Sequence, residues 1–240
     1  MYCGEFDEDA KDYKPFVWEL PPRILVNPEV VVLNNDRSVI FHPSTSFGCV
    51  AVRGSTALRN NMVHCFEVEF YPPYFGESRS VGVGTGRATL HYKRRKDHTV
   101  YSNTYDSLVG LDEHSWGLNY DGNLIHKKIK TCLYDKMSAD ATAKSEPLQI
   151  QVTFDGYSGV LLFHVNGESL GVAFEHIDQP VYPMVSSSGR NTHVNFLWKK
   201  SCVGNLQTMC RGVIRRNIRK DVNFNGLPLP LHVIAFLRFQ

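Results

Sequence analysis

Short apolar segments separated by turn residues fill most of the chain, and this pattern is typical of many short β-strands. Positions 64–71 alternate strictly, with Phe66, Val68 and Phe70 on one face and two glutamates on the other. Asn166-Gly167 is a strong hairpin signal. Further strands are predicted at 30–33, 38–41, 49–53, 80–86, 115–121, 124–126, 148–154, 160–165, 171–174, 181–185 and 194–198. Turns every ~8–12 residues favour an antiparallel sandwich or barrel. The uniformly apolar segment 30–33 predicts a strand that is buried on both faces.

The pattern changes to a helical period after residue 205. Apolar residues recur three or four positions apart and predict one stripe along an amphipathic helix, formed by Leu206, Met209, Cys210, Val213, Ile214 and Ile218. Asn205 is the predicted N-cap, and the arginines fall on the other side of the helix. Because Gly212 is a poor helix former, we expect packing to stabilise this helix.

A proline-containing segment follows the helix. Asn225-Gly226 predicts a break, and Leu227-Pro228-Leu229-Pro230 predicts an extended, rigid segment because each proline fixes φ and removes a donor. The apolar residues from 231 to 239 predict a second short helix.

Composition places the chain among ordinary globular proteins. It has 240 residues, of which 42% are hydrophobic and 21% charged, with a net charge of +2. This balance gives no argument for nucleic acid or membrane partners, and the apolar segments are too short to span a bilayer. The acidic N-terminal residues do not resemble a signal peptide. The six cysteines lack metal-ligand or framework spacing, which favours a reducing intracellular compartment over disulfides or zinc.

Motifs for catalysis or cofactors are not found in the sequence. The segment 80–86, SVGVGTG, lacks the third glycine of the dinucleotide fingerprint and precedes no helical pattern. Nucleophile-elbow and zinc-protease motifs do not occur. We therefore expect neither enzymatic activity nor a cofactor. The basic residues 93–96 predict a solvated loop, with a nuclear-targeting or acidic-partner patch as the alternative.

Three segments resemble the hallmarks of a SPRY domain: LDEHSWGL at 111–118, the D-x-x-x-G-x-L-x-F-x-x-N-G pattern at 155–167, and YPMV at 182–185. The likeness covers roughly residues 28–198 and implies a B30.2-like antiparallel β-sandwich. Its hallmarks lie within the predicted strands and turns, so the resemblance and the periodicity agree on a mainly β fold.

The C-terminal segment resembles a SOCS box. In that family a Leu/Cys helix docks on elongin C and a Leu-Pro-Φ-Pro segment selects a cullin, usually cullin-5. The matching elongin C-binding residues are Leu206, Cys210 and Ile214, and the matching cullin-binding residues are Leu227, Pro228, Leu229 and Pro230. The chain is thus similar to the SPRY domain-containing SOCS box proteins, with a lead-in segment (1–22), a SPRY domain (23–200) and a SOCS box (201–240).

This resemblance implies a non-catalytic adaptor of a RING E3 ubiquitin ligase. Its SPRY domain would capture a peptide of a target protein. Elongin C, elongin B, cullin-5 and a RING partner would then promote ubiquitination and proteasomal degradation. We expect such a protein in the cytoplasm, the nucleus or both.

The family also implies a peptide-binding cleft between loops. The matching residues are Thr85, Tyr105, Leu108, Val109, Gly110, Ser188 and Arg190. Relatives carry Val-Trp-Gly where this chain has Ser188-Gly189-Arg190, and their arginine-containing loop after the second strand is shorter here. The resemblance therefore implies an Asn-containing peptide that is bound through backbone and amide hydrogen bonds, rather than the full acidic Asn-rich motif of relatives.

Two alternatives follow from the residues. The first is a SPRY interaction scaffold whose C-terminal helix packs on its own domain. The second is RNA binding through the basic helix and Lys199-Lys200, which lacks interleaved aromatic residues on that helix.

Overall fold

The computed structural model describes residues 17–20, 29–33, 37–46, 48–72, 78–91, 106–132, 147–218 and 224–239. Its described part contains two seven-stranded antiparallel sheets, followed by two helices. Sheet A has, in spatial order, β1 (Trp18–Glu19), β4 (Val50–Gly54), β13 (Tyr182–Ser187), β6 (Arg79–Gly84), β7 (Ser115–Asn119), β8 (Asn123–His126) and β9 (Ile129–Cys132).

Sheet B packs against sheet A. It has, in spatial order, β12 (Glu168–Phe174), β11 (Val160–Val165), β10 (Leu148–Asp155), β5 (Val63–Phe70), β14 (Thr192–Cys202), β3 (Ser38–Phe41) and β2 (Val30–Leu33). The predicted mainly β, antiparallel sandwich is therefore confirmed.

The core lies between the two sheets, where alternate residues of each strand meet. Phe66 and Val68 of β5 pack there with Val81 and Val83 of β6 and with Phe154 of β10, and all five are fully buried. Period-2 patterning selected these residues because successive side chains of a strand point to opposite faces.

The lead-in residues 17–20 belong to this sandwich. Trp18 of β1 lies opposite Gly54 of β4 in sheet A. Its ring packs edge-to-face on Phe196, and its indole N–H donates to the carbonyl of Arg37 at 3.0 Å. The segment that the sequence marked as a lead-in thus contributes Trp18 to the core of the sandwich.

Two predictions about strands are corrected. Residues 30–33 were expected to be buried on both faces, but β2 is an edge strand and its Leu33 is exposed. The β8–β9 hairpin was not predicted, since Lys127 and Lys128 occupy its turn with φ of 53° and 64°. Such positive φ values usually go with Asn or Gly, as they do at Asn166-Gly167 between β11 and β12.

The helices are α1 (Leu206–Asn217) and α2 (Leu231–Arg238), with a 3₁₀ turn (Phe224–Gly226) between them. Asn205 caps α1 as predicted, its side chain accepting from the backbone N–H of Thr208 at 2.9 Å. Neither helix has the length and apolar character needed to cross a bilayer.

The segment 227–230 is bent, not extended as the sequence predicted. The backbone N–H of Leu229 donates to the carbonyl of Leu227 at 2.8 Å, which closes a tight turn around Pro228. The carbonyl of Pro230 then accepts from the N–H groups of Val233 and Ile234 and begins α2. Proline fixes only its own φ, so local hydrogen bonds were able to set the direction of the segment.

Candidate protein-interaction surfaces

The apolar stripe of α1 faces away from the sandwich. Leu206 is 75% exposed, Val213 63% and Ile214 41%, and Cys210 is also exposed. Three further apolar side chains of the C-terminal segment are exposed, namely Val203, Leu229 and Leu231. We call the set Leu206, Cys210, Val213 and Ile214 the exposed stripe. A continuous apolar patch of this kind is typical of a protein-interaction site.

The opposite face of α1 contacts the turn between β10 and β11. Arg211 and Arg215, two of the three arginines of the helix, are buried there. Arg211 donates to Asp155 at 3.1 Å, and Arg216 donates to the carbonyl of Gly156 at 2.8 Å. The helix thus packs on its own domain, but through its cationic face and not through the apolar one.

Gly212 allows this close approach. A Cβ atom at this position would lie 2.6 Å from the Cβ atom of Tyr157 and 2.7 Å from its carbonyl oxygen. Tyr157 also accepts a hydrogen bond from the backbone N–H of Gly204 at 3.1 Å through its hydroxyl group. The expectation that packing stabilises the Gly212-containing helix is therefore confirmed, and Tyr157 is the residue against which it packs.

The cullin-matching residues are mostly accessible. Pro228, Leu229 and Pro230 are exposed, whereas Leu227 is half-buried. They lie in the connection between the 3₁₀ turn and α2, so they belong to the same C-terminal unit as the exposed stripe. Their role in binding a cullin stays a prediction.

The peptide-matching residues 108–110 cover the outer face of sheet A. Leu108 and Val109 are buried in a small second core. The N–H of Gly110 donates to Ser115 at 2.9 Å. On this face Gly117 lets the loop approach closely, since a Cβ atom there would lie 2.5 Å from a side-chain methyl carbon of Val109. The second core comprises Cys49, Ala51, Ala88, Leu108, Val109 and Met184.

Gly110 has a local structural role. Its φ is +91°, and a Cβ atom there would lie 2.3 Å from the carbonyl oxygen of Ile125. The chain's own β8 makes this close approach to Gly110, and no peptide is needed to explain the glycine.

A cluster of serine hydroxyl groups connects the 108–110 loop to sheet A. The hydroxyl group of Ser80 lies 2.6 Å from that of Ser107 and 2.7 Å from that of Ser186. Ser107 donates to the carbonyl of Val109 at 2.8 Å. Because all three serines are buried and paired, they fix the loop on the sheet. Sequence patterning did not identify them, since isolated serines in strands carry no periodic signal.

The remaining matched residues lie at opposite ends of one strand pair. Thr85 follows Gly84, which pairs with Tyr182, whereas Ser188 follows Ser187, which pairs with Arg79. Six residues of strand separate these ends, which corresponds to about 17 Å. Thr85 and Ser188 therefore do not lie in one compact cluster of side chains. A ligand touching both ends would have to run along the sheet.

Exposure also differs among these residues. Thr85 and Ser188 are buried, and the Ser188 carbonyl accepts from Ser46 at 2.6 Å, whereas Arg190 is exposed. Tyr105 and the basic residues 93–96 lie outside the described residues. The assignment of all seven residues to peptide binding stays a prediction.

Metal and nucleic-acid chemistry receive no support from the described side chains. No cluster of three or more His, Cys, Asp or Glu suited to a metal ion occurs among them. The buried Arg211 and Arg215 already contact groups of the chain itself, which removes two cations from the surface that RNA binding would use.

Comparisons with known proteins agree with this architecture. The SPRY domain family model matches residues 63–200, so the chain belongs to the SPRY domain family. This result confirms the resemblance drawn from the residues at 111–118, 155–167 and 182–185.

Several similar curated proteins are SPRY domain-containing SOCS box proteins. The chain is 30% identical over 230 residues to SPRY domain-containing SOCS box protein 3 of Xenopus laevis, a match that covers 95% of this chain and 58% of that protein. The Phe41-His42 loop and the segment 182–186 also resemble this third member of the SPRY domain-containing SOCS box proteins. The chain is 26% identical over 227 residues to protein gustavus of Drosophila melanogaster, covering 88% of this chain and 75% of gustavus. The chain spans less than two thirds of the length of the Xenopus relatives.

A solved structure agrees on the fold alone. The PSpry domain of TRIM65 matches with a TM-score of 0.52 and 15% identity, covering 72% of this chain and 85% of that domain. Together these findings define a SPRY-domain protein that is similar to the SPRY domain-containing SOCS box proteins.

Proposed function

We propose that the chain is a non-catalytic substrate receptor of a cullin-5–elongin B/C RING ubiquitin ligase. The SPRY domain captures a short, Asn-containing peptide of a target. The exposed stripe binds elongin C through Leu206, Cys210 and Ile214, and the segment 227–230 contacts the cullin. The target's lysines are thereby held at high effective concentration near the ubiquitin-conjugating enzyme.

One observation carries this proposal: the apolar stripe of α1 is exposed while the cationic face is buried. A helix that served only the chain's own stability would bury its apolar residues, since each buried leucine contributes about 1.5–3 kcal/mol. The scaffold alternative expects α1 to pack on its own domain, and it does so through Arg211 and Gly212, but this packing leaves the apolar stripe uncovered. An amphipathic face that is left uncovered suits a groove on a partner, with anchors one turn apart.

The first test is co-expression with elongin B and elongin C, followed by size-exclusion chromatography. We expect a stoichiometric complex with the unmodified chain. The Leu206→Ala, Cys210→Ala double variant should lose at least about 30-fold in affinity, because truncation of even one interface anchor typically costs ~2 kcal/mol or more. Leu33→Ala is the matched control, since Leu33 is also an exposed leucine but lies on edge strand β2.

Point variants are preferable to removal of residues 205–240. Removal would leave the buried carboxylate of Asp155 without Arg211 and uncover the residues beneath Phe239. Loss of the complex could then reflect a damaged sandwich. An unmodified chain that remains free of elongins on the column would contradict the proposal, as would a double variant that binds as tightly as Leu33→Ala.

The cullin contact is tested separately. A Pro228→Ala, Leu229→Ala double variant should retain elongin binding and lose cullin-5 binding, because these exposed residues lie outside the exposed stripe. The measurement is pull-down of purified cullin-5 by preformed complexes with elongin B/C. If the elongin B/C complexes of the variant and of the unmodified chain recover equal amounts of cullin-5, these residues are not part of the cullin interface.

A further inference from the structure

Arginine side chains and aromatic rings join the two C-terminal helices to the sandwich. Arg211 lies with its guanidinium 4.0 Å from the ring centre of Phe239 and 4.9 Å from that of Phe236. Phe239 in turn packs on Val160 and Leu162 of β11. We call Arg211, Arg215, Asp155 and Phe239 the arginine clamp.

Arg211 is the centre of this clamp. Its guanidinium and the carboxylate of Asp155 are both almost fully buried, and the N–O distance is 3.1 Å. The other carboxylate oxygen of Asp155 accepts from the backbone N–H of Tyr157 at 2.9 Å. The β10–β11 turn therefore fixes the carboxylate of Asp155, and this carboxylate in turn fixes the position of Arg211.

Arg215 extends the clamp to α2. It donates to the carbonyl of Leu237 and to the carboxylate of Glu175, and its guanidinium lies 5.0 Å from the ring centre of Phe239. A planar guanidinium can make these hydrogen bonds and stack on a ring at the same time, which a lysine ammonium cannot do. One side chain thus links α1, α2 and the loop after β12.

Buried ion pairs are poor sources of stability but strict about geometry. Taking two charges out of water costs several kcal/mol each, so the pair is favourable only in one well-aligned arrangement. A hydrophobic contact of similar size would tolerate sliding of the helix. The use of arginines where α1 meets the sandwich therefore favours one orientation over maximal stability.

We propose that Arg211 and Arg215 are positioning residues, which hold the exposed stripe in one orientation relative to the SPRY sandwich. In the ligase of the proposed function, on which this part rests, the clamp sets the direction in which the ubiquitin-conjugating enzyme faces the captured target. The clamp itself exists in the chain alone and is testable there.

The first experiment is hydrogen–deuterium exchange on the full chain and its Arg211→Met variant. We expect the amides of 206–217 to exchange on the order of 100-fold faster in the variant, because it leaves a buried carboxylate without its partner. The amides of β5 and β14 should exchange as before. Unchanged exchange in 206–217 would overturn the proposal. Equal acceleration throughout the sandwich would overturn it too, since Arg211 would then be a residue of general stability.

Two further variants sharpen the result. Gln207→Met introduces the same side chain at an exposed position of the same helix and should leave the exchange of α1 unchanged. The Asp155→Asn, Arg211→Met double variant removes both charges and should exchange more slowly in α1 than Arg211→Met alone. If the two substitutions instead accelerate amide exchange in α1 additively, the ion pair does not hold the helix.

A functional measurement then separates positioning from docking. The probe is the chain's own lysines, whose ubiquitination is mapped by mass spectrometry in a complex reconstituted with elongin B/C, cullin-5 and its RING partner. Arg211→Met should bind elongin B/C within about threefold of the unmodified chain yet modify a different set of lysines. An unchanged set would overturn the positioning role. If the unmodified chain fails to bind elongins, the proposed function fails while the exchange experiment still decides the clamp.

Discussion

The sandwich and the C-terminal helices bury opposite kinds of side chain. Between the sheets, residues such as Phe66, Leu161 and Val185 are fully buried. Beneath α1, the buried side chains are Arg211 and Arg215, while leucine and valine of the same helix face outward. A region that folds for itself buries its apolar surface, whereas a region that keeps apolar surface exposed is suited to binding a partner.

Leucine is buried in the sandwich and exposed on α1, so leucine substitutions in the two regions should differ most in their effect on the free energy of unfolding. Leu161→Ala should lower the free energy of unfolding by about 2–5 kcal/mol, because Leu161 is fully buried and its removal leaves a cavity. Leu206→Ala should change it by less than about 0.5 kcal/mol. Urea denaturation of both variants measures the difference. Equal destabilisation would show that the exposed stripe is part of the folding core.

The two regions also bury different polar groups. The sandwich buries the neutral histidine His64, whereas the buried side chains of α1 are arginines. Burial lowers the pKa of His64 to about 4, and the ring lies 2.7 Å from the Ser201 hydroxyl and 3.0 Å from the Arg59 carbonyl. Between pH 6.5 and 4 the unfolded chain binds a proton at His64 that the folded chain does not. Stability should therefore fall as the pH falls through this window, by on the order of 3 kcal/mol.

The measurement is urea denaturation from pH 7.5 to 4.5, with His64→Gln as the comparison. We expect a shallower decrease in the variant. Burial also lowers the pKa of His42, His164 and His193, so the remaining slope should keep the same sign. Identical slopes for the two proteins would exclude His64 as a source of the pH dependence.

The junction between the regions depends on Gly212. Alanine is the better helix former by about 1 kcal/mol, yet Gly212→Ala should destabilise the packing of α1 by about 1–3 kcal/mol. The reason is that its Cβ atom would overlap the backbone of Tyr157. Gly86→Ala is the control, because a Cβ atom there meets nothing within 4 Å. Amide exchange in α1 reports the effect, and slower exchange in Gly212→Ala would contradict the packing described.

Cysteine labelling should have the smallest effect on stability, since it is carried out while both regions stay folded. Burial raises the pKa of Cys49 in the sandwich to about 12, so almost none of this thiol is ionised at pH 8. Cys210 on the exposed stripe is accessible. Iodoacetamide should modify Cys210 in the folded chain and Cys49 only after unfolding, as peptide mapping would show. Modification of Cys49 in the folded chain would mean that the second core opens.

Elongin binding extends this comparison. If the proposed complex forms, Cys210 should become protected from iodoacetamide while Cys202 is unaffected by the partner. The same labelling on the Leu206→Ala variant should restore the reactivity of Cys210. Undiminished labelling of Cys210 within a purified complex would place the elongins elsewhere on the chain.

Local patterns in the sequence determined the elements of this protein. Alternation fixed strands such as β5 and β10, because a strand with one buried face must repeat every two residues. Asn166-Gly167 fixed a hairpin, and Asn205 fixed the start of α1. The family resemblance rests on the same local motifs. The β8–β9 hairpin was missed because its turn uses Lys127 and Lys128, which carry no turn signal.

Only the tertiary structure decided which face of α1 is buried. The sequence marks one apolar and one cationic face, and periodicity favours burial of the apolar one. The buried acceptor Asp155 at the β10–β11 turn reverses this preference, since a buried carboxylate requires a cationic partner. Gly212 permits the approach, and Phe239 supplies the ring on which Arg211 stacks. Arg211 lies 56 positions from Asp155 and 28 positions from Phe239 in the sequence. No local pattern joins these groups, because only folding brings them together.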